Sequence, residues 1–139
     1  MENKVKHLEM IESVIDRMGH NSFQLKGWAV TLMSIVGALS AKGSDKRFML
    51  LGLIPLIAFW LLDSYYLQLE RKYRVMFEQV RTKDEADIDF DMNLKHVHYS
   101  EEDLKKVCFC NCMISSTEVI FYLVIAIAFV VVMVVSNWM

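Results

Sequence analysis

Residues 48–69 decide the fold class, and they read FMLLGLIPLIAFWLLDSYYLQL. These 22 residues carry a single charge, Asp63. Residues 22–41 likewise carry one charge, Lys26, and residues 119–139 carry none. About 20 apolar residues are enough to cross the ~30 Å hydrocarbon core of a bilayer. The sequence therefore predicts an all-α integral membrane protein with three transmembrane helices.

The composition and the remaining segments narrow the function classes. The chain has 139 residues, of which 55 % are hydrophobic, and its net charge is −2. Residues 1–21 and 70–118 are each too short for a stable soluble core, because folds below about 70 residues usually need disulfides or metals. The sequence has no nucleophile–base arrangement, no glycine-rich phosphate loop and no basic stripe. We therefore expect neither an enzyme nor a nucleic-acid-binding protein, and we expect no cofactor.

The lysines and arginines predict an orientation in a bacterial inner membrane. With three spans, the N-terminus and residues 70–118 share one side with 12 of the 15 Lys and Arg residues, Lys26 included. The loop between the first two spans carries the other three, which are Lys42, Lys46 and Arg47. Since positive loops stay inside, we expect the N-terminus and residues 70–118 in the cytoplasm and the C-terminus outside. The crowding of three cations into a short outer loop argues for the opposite orientation.

Two apolar stripes with helical spacing predict a long antiparallel hairpin. Residues 1–21 should form an amphipathic cytoplasmic helix, with its stripe at Leu8, Ile11, Ile15 and Met18. The second transmembrane helix, residues 48–69, should continue in the cytoplasm to about residue 81, since the same spacing recurs at Leu62, Tyr66, Leu69, Tyr73, Met76 and Val80. The two stripes match in antiparallel register, as in a coiled coil. A bend is expected at Gly19–Asn21, before the first transmembrane helix at residues 22–41.

The depth of two charges supports this hairpin. Lys26 lies 16 residues before Lys42, and Asp63 lies 16 residues after Arg47. At about 1.5 Å per residue, both charges lie ~24 Å below the outer loop. Because an unpaired charge inside a membrane is costly, we expect a Lys26–Asp63 ion pair that fixes the register of the hairpin. The alternative is that each side chain extends separately to the inner interface.

A face of small residues in the first span predicts close helix packing. Its members are Ser34, Gly37, Ala38 and Ala41. Small residues let helix backbones approach one another, within one chain or between copies. The face therefore makes a homo-oligomer our expectation.

Residues 82–100 form an acidic loop that contains a candidate binding segment. Ile88, Phe90, Met92 and Leu94 alternate with polar residues, which predicts a short extended segment. Such a segment suits strand-like pairing with another chain or a soluble cytosolic partner, while a solvated acidic loop is the alternative. Ser100 is a good N-cap for a cytoplasmic or interfacial helix over residues 101–114, which should bend away from the third span at residues 115–117.

One group of residues has the composition of a metal site. It consists of His96, His98, Cys108 and Cys112. On a helix the two cysteines share a face, but the paired C-x-x-C spacing of zinc sites is missing. We therefore expect the cysteines to pack as small apolar side chains, with zinc binding as the alternative.

Several strings within residues 6–81 are similar to known sequences. They are KHLEMI-x-x-VI-x-RM at 6–18, NSF-x-LKGW-x-VTL at 21–32, IPLIAFW-x-LD-x-YYL at 54–67, ER-x-YR at 70–74 and VR at 80–81. In these strings the chain resembles small bacterial multi-span membrane proteins of unassigned function, which often accompany anti-phage defence systems. The resemblance implies a role in defence and brings no mechanism.

These observations lead to two main hypotheses of function. The first is an oligomeric membrane effector, pore-forming or membrane-perturbing, of a bacterial anti-phage system. The alternative is a membrane anchor that recruits a soluble cytosolic partner to the inner membrane. An ion or proton carrier that uses Lys26, Asp63 and Glu118 is a third option, although transporters usually have more spans and internal repeats.

Overall fold

The described part of the chain is all-α. The structure is a computed structural model, and it describes residues 2–40 and 46–136. Five helices follow one another: α1 (Glu2–Ser40), α2 (Lys46–Thr82), α3 (Glu101–Lys106), α4 (Phe109–Met113) and α5 (Ser116–Ser136). A 3₁₀ turn, Glu85–Asp87, lies between α2 and α3, and the described residues contain no strand. The predicted all-α class is therefore confirmed.

Helix α1 passes through the expected bend without interruption. Its 39 residues join the segments 1–21 and 22–41, which the sequence analysis treated as two helices. The reason is a single apolar stripe at three- and four-residue spacing on both sides of Gly19: Ile11, Ile15, Met18, Ser22, Leu25, Ala29 and Met33. One glycine lowers helix stability by only about 1 kcal/mol relative to alanine. Helical structure therefore continues through Gly19–Asn21, where the sequence analysis expected one helix to end and the next to begin.

Helix α2 is the long apolar helix of the chain. It spans 37 residues, contains Pro55 and ends at Thr82. Among the described residues, Gly52–Thr82 is the one helix that is long and apolar enough to cross a membrane. Ser116–Val132 is a shorter apolar helix.

The chain divides into two compact units. The head unit comprises Met1–Ser22 and Tyr65–Cys112, and the apolar unit comprises Phe23–Ser64 and Met113–Met139. Ile11, Met76 and Val80 form the core of the head unit. The core of the apolar unit consists of Ala29, Met33, Leu56, Tyr122 and Phe129.

Side chains of α1 and α5 pack closely against Gly52 of α2. A Cβ atom at this position would lie 2.9 Å from Val36 Cγ1 and 3.1 Å from Phe129 Cζ. Glycine fits here without a shift of these neighbours, whereas any side chain would force them to move.

The segment 101–114 forms two short helices in place of the one helix expected there. Helix α3 starts with a capping box, in which Ser100 Oγ accepts from the Asp103 amide and the Asp103 carboxylate accepts from the Ser100 amide. The chain leaves helical geometry after Val107. Side chains satisfy the carbonyl groups that the break frees: Arg71 donates to the Lys106 carbonyl and Gln68 donates to the Val107 carbonyl, both at 2.8 Å. Long-range partners on α2 thus stabilise a break that has no local sequence signal.

Candidate functional site

A cluster of charged and polar side chains lies inside the apolar unit. It consists of Lys26 on α1, Asp63 on α2, and Glu118 and Tyr122 on α5, and we call it the charge cluster. The Lys26 ammonium donates to Asp63 Oδ2, and it donates to Glu118 Oε1 at 2.9 Å. Tyr122 Oη donates to the same Asp63 oxygen at 3.1 Å. Three helices of one unit therefore meet through one cation and two carboxylates.

Neighbouring residues on α5 and α2 position and surround the charge cluster. Glu118 and Tyr122 are four residues apart on α5, so they lie one above the other on the same helical face. The Phe121 ring adds a cation–π contact, with its centroid 5.7 Å from Lys26 Nζ. Next to Asp63, Ser64 is fully buried, and its hydroxyl donates to the Trp60 carbonyl at 2.7 Å. The aromatic and helical surroundings exclude water from the carboxylate side of the cluster.

The charge cluster is buried and carries unequal charges. Asp63 is fully buried, Glu118 is 2 % exposed, and the Lys26 side chain is 21 % exposed. With both carboxylates ionised, one ammonium faces two negative charges, so the cluster has a net charge of −1. Glu118 Oε2 is buried and has no hydrogen-bond partner among the described residues. A buried net charge is expensive, and we therefore take the charge cluster as the candidate functional site.

The structure brings together more residues than the sequence analysis linked. Lys26 and Asp63 are in contact, at the register that the depth argument requires. Glu118, which the sequence suggested only as a third carrier residue, joins them. Tyr122 was missed altogether. The sequence signal for Tyr122 is its position four residues after Glu118, which places both polar groups on one face of an otherwise apolar helix.

The small-residue face of α1 lines an open groove. Ser34, Gly37 and Ala38 border a groove of about 420 Å³ together with residues of α5, including Phe129. An added Cβ at Gly37 would meet nothing within 4 Å. Ala41 lies outside the described residues. Close packing of this face within the chain is therefore not seen at Gly37, and its packing between copies stays a prediction.

The alternating segment of the acidic loop covers the protein's own helices. Ile88, Met92 and Leu94 pack against the core of the head unit. Phe90 has a positive φ of 54°, and its ring centroid lies 5.5 Å from that of the fully buried His7. Three of the four apolar side chains are thus partly buried within the head unit, while Phe90 is 39 % exposed. The partner-binding role of these four residues stays a prediction.

The residues of the alternative metal site have other partners. His96 Nδ1 lies 2.5 Å from Asp91 Oδ2, and the backbone of His98 pairs with the Gln79 amide. Cys108 is exposed and Cys112 is buried, and burial raises the pKa of the Cys112 thiol, which disfavours a thiolate ligand. No group of three or more His, Cys, Asp or Glu side chains in residues 2–40 and 46–136 is arranged to hold a metal ion.

A groove of about 720 Å³ in the head unit has charged walls, and we call it the charged groove. Its charged lining residues are Arg71, Arg74, Glu78, Asp103 and Lys106. Local pairs engage most of them, because Arg74 binds Glu70, Glu78 binds Arg81, and Asp103 binds Ser100. The groove therefore has a mixed and largely self-compensated charge.

Comparison with known proteins adds no relative: no family model, no curated protein and no solved structure matches the chain.

Proposed function

We propose that the chain is a non-enzymatic inner-membrane protein with three transmembrane helices, the first two of which form a long antiparallel hairpin that extends into the cytoplasm. The antiparallel pairing is supported within each unit: Ile11 packs near Met76 and Val80 in the head unit, and Lys26 contacts Asp63 in the apolar unit. The distribution of Lys and Arg supports a cytoplasmic N-terminus and an outer C-terminus.

The outer surface of the apolar unit supports its placement in lipid. Large apolar side chains on all three of its helices are more than half exposed, among them Phe23, Trp28, Ile54, Ile120 and Val124. Contiguous apolar surface of this kind is unfavourable in water and is typical of membrane or protein interfaces. A bilayer covers such a surface on every helix at once.

In this topology the protein acts as an oligomeric membrane effector, and the charge cluster is the main observation that supports this function. The spans offer few other polar groups, so Lys26, Asp63 and Glu118 are the side chains able to line a polar path when the helices of several copies rearrange. Until then, Lys26 contacts both carboxylates inside the apolar unit. The setting in anti-phage defence is suggested by the resemblance of residues 6–81 to small bacterial membrane proteins that accompany such systems.

A membrane anchor for a soluble cytosolic partner is the second candidate. The charged groove of the head unit favours it, since its 720 Å³ and its walls of mixed charge, with Arg71 and Lys106 beside Glu78 and Asp103, suit a docking segment that carries both signs of charge. The packing of Ile88, Met92 and Leu94 within the head unit leaves Phe90 as the exposed apolar side chain of the segment that the sequence analysis proposed for partner binding.

Induced expression in the bacterial host tests the effector function directly. We expect a potential-sensitive dye to report depolarisation for the wild-type protein and none for Asp63→Asn, because the substitution removes a charge that the path requires. Asp16→Asn, at an exposed position of α1, is the matched control and should depolarise normally. Immunoblots of the membrane fraction establish equal expression.

Two results would contradict the effector function. One is an unchanged membrane potential at verified expression of the wild-type protein. The other is full depolarisation by Asp63→Asn, which would restrict the cluster to holding the helix register. Native mass spectrometry of the same membranes distinguishes the alternative: a homo-oligomer of defined size supports the effector, and a stoichiometric soluble protein bound to the chain supports the anchor.

A further inference from the structure

The two carboxylates of the charge cluster are unequally satisfied. Asp63 accepts from both Lys26 and Tyr122, and it is fully buried. Glu118 accepts from Lys26 through Oε1 alone, while its buried Oε2 has no hydrogen-bond partner among the described residues. Of the two acids, Glu118 is therefore the one whose ionised form the site stabilises less.

The charge balance of the cluster calls for one more positive charge. Three ionisable groups face Glu118, namely Lys26 from α1, Asp63 from α2 and Tyr122 from its own helix. Tyr122 is neutral as a donor, so the ionised cluster has one excess negative charge. Two carboxylates that share one site do not both stay ionised in a water-excluded environment. A proton on Glu118 restores neutrality.

A proton fits this site better than a metal cation does. The Lys26 ammonium already occupies the position between the two carboxylates, in contact with an oxygen of each. The Phe121 ring stands against the ammonium, and the Trp60 ring against Tyr122. A metal ion would have to displace the lysine, whereas a proton occupies no volume of its own.

We infer that Glu118 is a proton-binding residue that controls the charge cluster. In the closed arrangement Glu118 is a neutral carboxylic acid beside the Lys26–Asp63 ion pair. Loss of the proton to water leaves a second carboxylate on one ammonium and favours the separation of α5 from the Lys26–Asp63 pair. This inference rests on the proposed effector function for its consequence, since deprotonation then promotes the open state.

Difference infrared spectroscopy tests the proton directly on the full-length protein in lipid nanodiscs. The difference between the spectra at acid and at alkaline pH should contain the C=O stretch of a buried carboxyl group that is protonated in acid. We expect this band to be lost in Glu118→Gln and kept in the control Glu12→Gln, which changes an exposed side chain of α1. In Asp63→Asn the band should vanish at neutral pH, because the charge cluster then holds one carboxylate for one ammonium.

Isotope labelling keeps the test valid if a variant fails to fold. Wild-type protein grown with carboxyl-¹³C glutamate should show the band at a lower frequency, whereas ¹³C aspartate should leave it in place. A shift with labelled aspartate would assign the proton to an aspartate and overturn the inference. Absence of any protonated-carboxyl band across the pH range, or its survival in folded Glu118→Gln, would do the same.

Ion flux from liposomes separates the inference from the proposed function. Wild-type flux should rise as the pH rises, and flux through Glu118→Gln should be independent of pH. An infrared band without flux would refute the effector function and keep the proton site. Flux without the band would refute the proton site and keep the effector function.

Discussion

Substitution of Gly52 by alanine is the sharpest test of the packing in the apolar unit. The added Cβ would lie 2.9 Å from Val36 Cγ1 and 3.1 Å from Phe129 Cζ. Favourable contacts between carbon atoms occur at about 3.5–4.0 Å, so both neighbours would have to move. Val36 is β-branched and has one strongly preferred rotamer in a helix. Phe129 is 6 % exposed, and its ring is held by the core around it.

Two opposing effects set the size of the change. Overpacking of a well-packed core costs about 1–3 kcal/mol, whereas alanine in place of glycine stabilises a helix interior by about 1 kcal/mol. Gly37→Ala isolates the second effect, because its Cβ would meet nothing within 4 Å. We therefore expect Gly52→Ala to be about 1–3 kcal/mol less stable than Gly37→Ala.

Reversible unfolding of the full-length protein in mixed micelles, followed by tryptophan fluorescence as sodium dodecyl sulfate is increased, measures both variants. Adding Val36→Ala to Gly52→Ala removes the closer clash, and the two substitutions should be coupled by about 1 kcal/mol or more. If Gly52→Ala proves as stable as Gly37→Ala, the helices do not approach at Gly52 and the packing argument fails.

Two further predictions concern charge and capping. Lys26→Met leaves Asp63 and Glu118 without their cation, so it should lower the free energy of unfolding by about 3–5 kcal/mol in the same assay. Adding Asp63→Asn to Lys26→Met should restore part of that free energy. A decrease below about 1 kcal/mol for Lys26→Met would contradict the buried cluster. Hydrogen bonds from the Ser100 side chain and backbone hold the pKa of Asp103 below its usual value. This contribution is present above the pKa that Asp103 has in the unfolded chain and is lost as the pH falls through the lower folded-state pKa, so α3 should loosen in acid. Ser100→Ala should raise the Asp103 pKa and destabilise α3 by about 1 kcal/mol. NMR titration measures the pKa, and amide hydrogen exchange measures the stability of α3. An unchanged Asp103 titration would exclude the capping role.

The features that follow from the sequence are those set by local or nearly local interactions. The N-cap at Ser100 depends on a hydrogen bond to a residue three positions later. The extension of α2 to Thr82 follows from a stripe with a 3.6-residue period. The contact of Lys26 with Asp63 follows from counting residues outward from one short loop, since both helices rise by the same distance per residue.

The remaining features depend on contacts between segments with no common register. Glu118 is separated from Asp63 by an irregular insert, so no residue count indicates its depth relative to the pair. The break after Val107 depends on Gln68 and Arg71, which lie more than 30 residues away. Alternation in the acidic loop identifies Ile88, Met92 and Leu94 as an apolar set, but the period cannot show that the head unit itself covers them.

The composition of the charge cluster bears on function more strongly than its position does. A Lys26–Asp63 pair alone is neutral and would be enough to fix the register of two helices. Glu118 adds a second buried carboxylate, and burial of an extra charge lowers stability. A cluster selected for stability would have an uncharged side chain at residue 118, because it fills the space without the cost of burying a second negative charge. The third charge therefore favours a site that changes state, in which a proton on Glu118 balances the closed form and its loss drives the helices apart.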